Sequence, residues 1–81
     1  MLFYATKKQK NNDIQTLYNG ALIIGTVEGS GCSYRAFHRG NYVGWFQSGY
    51  YARIRVLLEE HGFERGNISI GIEYLKEEKI I

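Results

Sequence analysis

The segment 48–63, which reads SGYYARIRVLLEEHGF, constrains the fold more than any other part of the chain. Ser48 is a preferred N-cap residue, because its hydroxyl can accept a hydrogen bond from an N–H group of the first helical turn. Gly62 is the residue type favoured just beyond a helix, and Phe63 then stands where a Schellman motif packs it back on Leu58. The segment therefore predicts an α-helix over about residues 49–61.

One face of this predicted helix is apolar. That face comprises Tyr50, Tyr51, Ile54, Leu57 and Leu58. Charged side chains occupy the remaining faces, namely Arg53, Arg55, Glu59 and Glu60. A helix of this length is marginal in isolation. We therefore expect packing against a sheet to stabilise it.

Alternating or β-branched segments predict strands on both sides of the helix. The predicted strands cover residues 2–6, 21–27, 32–38, 42–46 and 67–74. In the last of these, Ile68, Ile70 and Ile72 alternate with small or polar residues, so we expect the isoleucines to pack against the helix. Glycine-containing turns are predicted at residues 29–31, 39–41 and 64–66.

Residues 13–20 are compatible with two structures. Ile14, Leu17 and Tyr18 have helical spacing, and Gly20 would end a short helix. Asn19–Gly20 is also a strong two-residue hairpin signal, which would pair Tyr18 with Ala21. The hairpin is the preferred interpretation, because the apolar segment that follows is a convincing strand.

Together these elements predict one domain of the α+β class. A single antiparallel sheet of four to five strands packs on one main helix, in the order β-(β or short α)-β-β-β-α-β. The formal net charge of +2 is too small to imply nucleic-acid binding. The single cysteine, Cys32, excludes an internal disulfide and fits a reducing compartment, and the longest apolar run is far too short to cross a membrane. These features predict a cytoplasmic location.

The sequence predicts no catalytic residues, metal site or cofactor. Cys32, His38 and His61 have neither metal-ligand spacing nor an evident catalytic partner. Residues 25–31 contain three glycines, but they lack a phosphate-binding motif and predict a flexible hairpin turn. A nest of backbone amides for a small anion is the alternative for this segment.

The best functional signal is the predicted hairpin 34–46, where arginines and aromatic residues interleave on adjacent strands. The predicted binding residues are Tyr34, Arg35, Phe37, Arg39, Tyr42 and Trp45. A turn at residues 40–41 places Arg35, Phe37, Arg39, Tyr42 and Phe46 on one face, and a three-residue loop places Arg35, Phe37, Val43 and Trp45 there. This composition is typical of protein-binding hot spots and of platforms for nucleic-acid bases. A third interpretation is that Phe37, Trp45 and Phe46 belong to the core and that the arginines are solvated.

We expect a non-enzymatic protein-binding module, an inhibitor or regulator of a larger complex such as a phage or mobile-element protein acting on a host system. One alternative is single-stranded nucleic-acid binding through the hairpin, assisted by Lys7, Lys8 and Lys10. Another is small-nucleotide binding at an oligomer interface near residues 29–35. The terminal Ile80–Ile81 pair is either frayed or a homo-oligomer contact.

Overall fold

A computed structural model describes residues 2–8, 12–63 and 67–81, and in these ranges five strands are followed by two helices. The strands are β1 (Leu2–Lys8), β2 (Asp13–Asn19), β3 (Leu22–Ser30), β4 (Ser33–His38) and β5 (Asn41–Phe46). The helices are α1 (Gly49–Glu60) and α2 (Ile68–Glu77). The strands form one antiparallel sheet in the order β1-β2-β3-β4-β5. The predicted α+β class with a single antiparallel sheet is confirmed. The turn predicted at 64–66 lies outside the described residues.

Residues 13–19 form a strand, as the hairpin interpretation predicts, but the hairpin has a different register. Asn19 pairs with Leu22, so the turn residues are Gly20 and Ala21, and the predicted pairing of Tyr18 with Ala21 is wrong. Gly20 has φ +63 and occupies the first turn position, where a II′ hairpin turn requires a positive φ. The conformational freedom of glycine therefore sets this register.

The turn predicted at residues 29–31 is displaced along the chain. Ser30 pairs with Ser33, so Gly31 and Cys32 form the turn, and Gly29 belongs to β3. The glycine-rich segment is thus mostly a central strand that pairs with β2 on one side and β4 on the other. Amides in such a strand are used in the sheet, so the predicted flexible turn and the anion nest are both wrong for residues 25–30.

Both predicted ends of α1 are confirmed. The Ser48 hydroxyl accepts a hydrogen bond from the Tyr51 backbone N–H at 3.4 Å. At the other end Gly62 has φ +70, and the Phe63 N–H donates to the Leu58 carbonyl at 2.9 Å. The Gly62 N–H donates to the Glu59 carbonyl at 3.1 Å, which completes the Schellman motif.

The buried face of α1 differs from the predicted one. Its buried residues are Ala52, Ile54, Val56, Leu57 and Leu58. Tyr50 and Tyr51 are 44% and 43% exposed, so their assignment to the packing face is wrong. The helix packs against β3, β4 and β5 on one side and against α2 on another, and these contacts bury a wider stripe than a single sheet face requires.

The strand predicted at residues 67–74 is wrong, because this segment belongs to α2. The Asn67 side chain caps the helix by accepting from the Ile70 N–H at 3.1 Å. A second Schellman motif ends the helix, with Lys79 at φ +58 and the Ile80 N–H donating to the Leu75 carbonyl at 2.9 Å. The sequence also has apolar or small residues at helical spacing, and this period prevails where α1 offers a surface to pack on. The residues at that spacing are Ile68, Gly71, Ile72 and Leu75.

Gly71 shows why α2 lies close to α1. A Cβ atom at this position would collide with the Leu58 side chain, so the glycine permits the close approach of the helices. Phe63 and Tyr74 stack beside this contact with ring centroids 4.9 Å apart. Ile80 is half-buried and packs against the core, whereas Ile81 is 46% exposed.

The core lies between the sheet and α1, with one contribution from α2. Its buried members are Leu17, Ile24, Val27, Ala36, Ala52, Ile54, Val56, Leu57, Leu58 and Leu75. Because α1 packs on β3, β4 and β5 and α2 packs on α1, both helices lie on the same side of the sheet. The opposite face is not covered by any part of the chain that the structure describes.

Replacing Leu75 with alanine tests the α2 assignment. Leu75 is 0% exposed, so Leu75→Ala should lower the free energy of unfolding by about 3 kcal/mol, as expected for a buried leucine. Ile70 is 53% exposed, and Ile70→Ala should change it by less than about 0.5 kcal/mol. Urea denaturation followed by circular dichroism measures both. An alternating strand requires the opposite ranking, and that result would contradict the helix.

Candidate binding surface on the open face of the sheet

The uncovered face of the sheet, here called the open face, carries outward side chains in three cross-strand rows. The first row is Phe3–Tyr18–Ile23. The second is Ala5–Thr16–Thr26–Phe37–Tyr42, and the third is Lys7–Ile14–Glu28–Arg35–Trp45. Aromatic residues lie at both ends of this surface, and Thr16, Thr26, Ile14 and Glu28 lie on the strands between them.

Neighbouring residues orient the aromatic side chains of the open face. Phe3 and Tyr18 stack with ring centroids 4.8 Å apart, and Phe37 meets Tyr42 edge to face at 5.8 Å. The Trp45 indole N–H donates to the Ser33 hydroxyl at 2.9 Å. Tyr42 and Trp45 nevertheless remain 59% and 50% exposed. Large apolar surfaces are thus held in defined positions while facing solvent.

A β-bulge brings Tyr42 and Trp45 to the same face. Phe37 pairs with Tyr42 and Ala36 pairs with Gly44, so Val43 is an extra residue in β5. Residues three apart normally point to opposite sides of a strand, and the bulge reverses this relation. Gly44, at φ +151, supplies the unusual backbone conformation that follows the extra residue.

Both predicted registers of this hairpin are therefore wrong. His38 pairs with Asn41, so the turn consists of Arg39 and Gly40. Neither register anticipated the bulge, and neither placed Tyr42 together with Trp45. Alternation alone cannot reveal such a bulge, because the extra residue shifts the phase of only one of the two strands.

The structure brings together four of the six predicted binding residues. Arg35, Phe37, Tyr42 and Trp45 share the open face, which separates Phe37 and Trp45 from the core. Tyr34 instead points to the helix side, where it packs against the core. Its placement follows from strand alternation, since its neighbour Arg35 points outward.

Arg39, the sixth predicted residue, is occupied by an ion pair on α1. Its Nε and Nη2 atoms donate to the two carboxylate oxygens of Glu60 at 3.0 and 2.9 Å. His38 Nε2 lies 2.8 Å from Glu60 Oε1. Glu60 thus joins the β4–β5 turn to the end of α1. The sequence placed Glu60 only among the charged residues outside the apolar face, and no local pattern pairs it with residues about twenty positions away.

This cluster changes the acidity of its members. Hydrogen bonds from Arg39 and then from His38 lower the pKa of Glu60 from 4.5 to about 2, against the opposing effect of burial. The same hydrogen bond to Glu60, with its charge, raises the pKa of Arg39. The cluster therefore contains an ionised carboxylate over most of the accessible pH range. Arg39 also supplies a cation at a helix end that prefers positive charge.

The charge on the open face is largely compensated. Arg35 Nη2 lies 3.9 Å from Glu28 Oε2, and the two side chains are 57% and 31% exposed. Lys7 lies in the same row at the other edge of the sheet. Lys10, which the sequence grouped with it, lies outside the described residues. The open face thus combines aromatic area with scattered, partly paired charge.

The described residues form neither a metal-binding cluster nor a membrane-spanning helix. Among residues 2–8, 12–63 and 67–81, no group of three or more His, Cys, Asp or Glu side chains is arranged to hold a metal ion. Cys32 is an exposed free thiol in the β3–β4 turn. Neither described helix has the length and apolar character needed to cross a bilayer.

Comparisons with known proteins give no further guide to this surface. No protein-family model, no curated protein and no solved structure matches the chain.

Substituting Glu60 with glutamine should change how stability depends on pH. The unfolded carboxyl protonates near 4.5 and the folded one near 2, so between these values the unfolded state binds more protons and stability falls as pH falls. The stability advantage of the wild type over Glu60→Gln should be complete above about pH 5 and should shrink toward pH 2. Chemical denaturation across this range measures the difference, and parallel pH curves for the two proteins would contradict the assignment.

Proposed function

We propose that this chain is a non-enzymatic protein-binding module whose open face docks on another protein. The observation that carries the proposal is that both helices lie on one side of the sheet, while Phe3, Tyr42 and Trp45 are 46%, 59% and 50% exposed on the other. Large exposed aromatic side chains on an uncovered face are typical of an interaction site. Rigid tyrosine and tryptophan side chains are also enriched at the centres of protein interfaces.

The hairpin end of the open face is the proposed centre of the interface. Phe37, Tyr42 and Trp45 form a cluster there, and contacts with one another or with Ser33 orient them before any partner arrives. Side chains that are already ordered lose less conformational entropy on binding. Arg35, beside Trp45, supplies a flexible cation of the kind found around such anchors.

The charge arrangement favours a protein over single-stranded nucleic acid. A protein groove that binds single-stranded nucleic acid needs several uncompensated cations along the path of the phosphate backbone. Arg35 lies beside Glu28, and Arg39 is bound by Glu60. Lys7 lies at the opposite edge of the five-stranded sheet, about 19 Å from β5 at ordinary strand spacing.

The position of the proposed site supports extending the proposal to a regulatory or inhibitory role. The open face spans all five strands of the sheet, so a partner bound there would have a broad part of its own surface covered. Covering a functional surface of a larger complex is a way for a binding module to act without catalysis. We therefore extend the proposal to an inhibitor or regulator of such a complex.

Removing the two most exposed aromatic residues of the hairpin should weaken partner binding strongly. We expect Tyr42→Ala combined with Trp45→Ala to weaken the affinity at least about 30-fold, the size of a single hot-spot loss. Affinity capture from source cells identifies the partner, and titration with the purified partner measures the dissociation constant. Tyr51→Ala is the matched control, because Tyr51 is 43% exposed on α1 and away from the open face.

Two outcomes would contradict the proposed function. One is a partner that binds the double variant as tightly as the wild type. The other is the absence of a protein partner together with oligonucleotide binding that weakens as salt increases, measured by fluorescence anisotropy. That second result would support the single-stranded nucleic-acid alternative.

A further inference from the structure

The first strand has an unusually open environment. All seven residues of β1 are exposed, including Leu2, Phe3 and Tyr4 at 37%, 46% and 51%. β1 is an edge of the sheet, and it pairs with β2 at every position without a bulge. Folded proteins usually protect such an edge with proline, lysine, a bulge or a covering element, and among the described residues β1 has only Lys7 and Lys8, at its far end. The other edge strand, β5, has a bulge, whereas β1 presents a regular backbone edge.

A cavity lies on the helix side of β1, opposite the open face. Because α1 covers β3, β4 and β5, it leaves a space of about 270 Å³ between itself and β1. The walls are mainly apolar and include Leu2, Tyr4, Leu17, Ile54 and Leu57, with Arg53 at the side. This volume is smaller than the pockets that enclose drug-sized molecules, and it suits side chains of a docked segment.

Arg53 gives the cavity a specific charge requirement. Its guanidinium lies 4.5 Å from the centroid of the Tyr4 ring, and its Nη1 donates to the Gln15 side-chain oxygen at 2.8 Å. The other arginines that the structure describes, Arg35, Arg39 and Arg55, each lie within ion-pair distance of a carboxylate. Within residues 2–8, 12–63 and 67–81, Arg53 has no carboxylate at that distance.

We propose that β1 is a docking edge for an extended, apolar and acidic segment of a partner protein. The segment adds a strand to the free edge of β1, places an apolar side chain in the cavity and brings a carboxylate to Arg53. Backbone hydrogen bonds would supply affinity, and the cavity with Arg53 would select the side chains. Exposed Lys7 and Lys8 at the end of β1 add positive charge that favours the same acidic segment.

Charge disfavours a second copy of β1 as the natural occupant. The strand sequence LFYATKK contains no carboxylate, so its pairing with itself would leave Arg53 without an anion. A parallel, in-register pair would place each lysine opposite another lysine, which is destabilising, and an antiparallel pair would still give the lysines no carboxylate partner. An acidic strand from a different protein would supply carboxylates to both Arg53 and the lysines of β1.

The docking edge is distinct from the proposed interface on the open face. β1 and the β4–β5 hairpin, the proposed centre of the other interface, lie at opposite edges of the sheet, and Phe3 is the one described residue that borders both the open face and the cavity. The two surfaces can therefore be tested separately, and the failure of one proposal leaves the other intact.

The test uses a blocked octapeptide of sequence EVVEEVVE, in which either face of the extended chain presents both valine and glutamate. Its matched control is KVVKKVVK. Titration into the whole ¹⁵N-labelled protein should shift the β1 amide resonances and slow their hydrogen exchange with the glutamate peptide alone. Arg53→Gln should weaken this binding about tenfold, while Trp45→Ala should leave it unchanged. If Arg53→Gln fails to fold, Tyr4→Ala, at a half-exposed cavity wall, replaces it and should give the same direction of change.

Several results would overturn the docking edge. One is that millimolar glutamate peptide fails to shift the β1 amide resonances, or shifts only those of the open face. Another is that the two peptides bind equally well. A third is that Arg53→Gln, or Tyr4→Ala in its place, binds the glutamate peptide with unchanged affinity. A wild-type dimer in sedimentation analysis that Tyr4→Ala dissociates would show that a second copy occupies the edge instead.

Discussion

The packing of α1 on β3, β4 and β5 is the contact on which the rest of the structure depends. Gly25 permits it, because a Cβ atom there would collide with Val56 and with the Phe37 carbonyl oxygen. Val27, Ala36 and Val56 are consequently 0% exposed. The helix also carries α2 on another side, so most of the apolar surface of both helices is used within one half of the molecule.

This asymmetric packing creates both surfaces for which we propose partners. With both helices on one side, the open face keeps its aromatic residues in solvent. With α1 placed over β3 to β5, the helix side of β1 remains uncovered and forms the cavity beside Arg53. A small domain has too little chain to cover every apolar surface it exposes. The two uncovered surfaces are therefore the ones available to binding partners.

The Glu60 cluster stabilises the proposed binding hairpin without belonging to its binding surface. Arg39 and His38 hold the β4–β5 turn against the end of α1. This contact fixes the tip of the hairpin, while the bulge at Val43 orients Tyr42 and Trp45 on the other face. An arginine that sequence composition assigned to binding thus has a structural role, because its charge is already satisfied within the chain.

The sequence by itself determined the features that depend on neighbouring residues. Ser48 and Gly62 mark the ends of α1 because caps act within one helical turn. The glycines near each hairpin indicate turns because a turn also depends on the backbone of a few neighbouring residues. Only the tertiary structure decided the strand register, the positions of the Tyr34 and Arg39 side chains, and the helical form of residues 68–77. Ile68 and Ile72 of that last segment satisfy both periods, so the contact between Leu58 and Gly71 selects the helix. Strand register, bulges and ion pairs between distant residues depend on which surfaces of the chain meet. The local sequence does not contain that information.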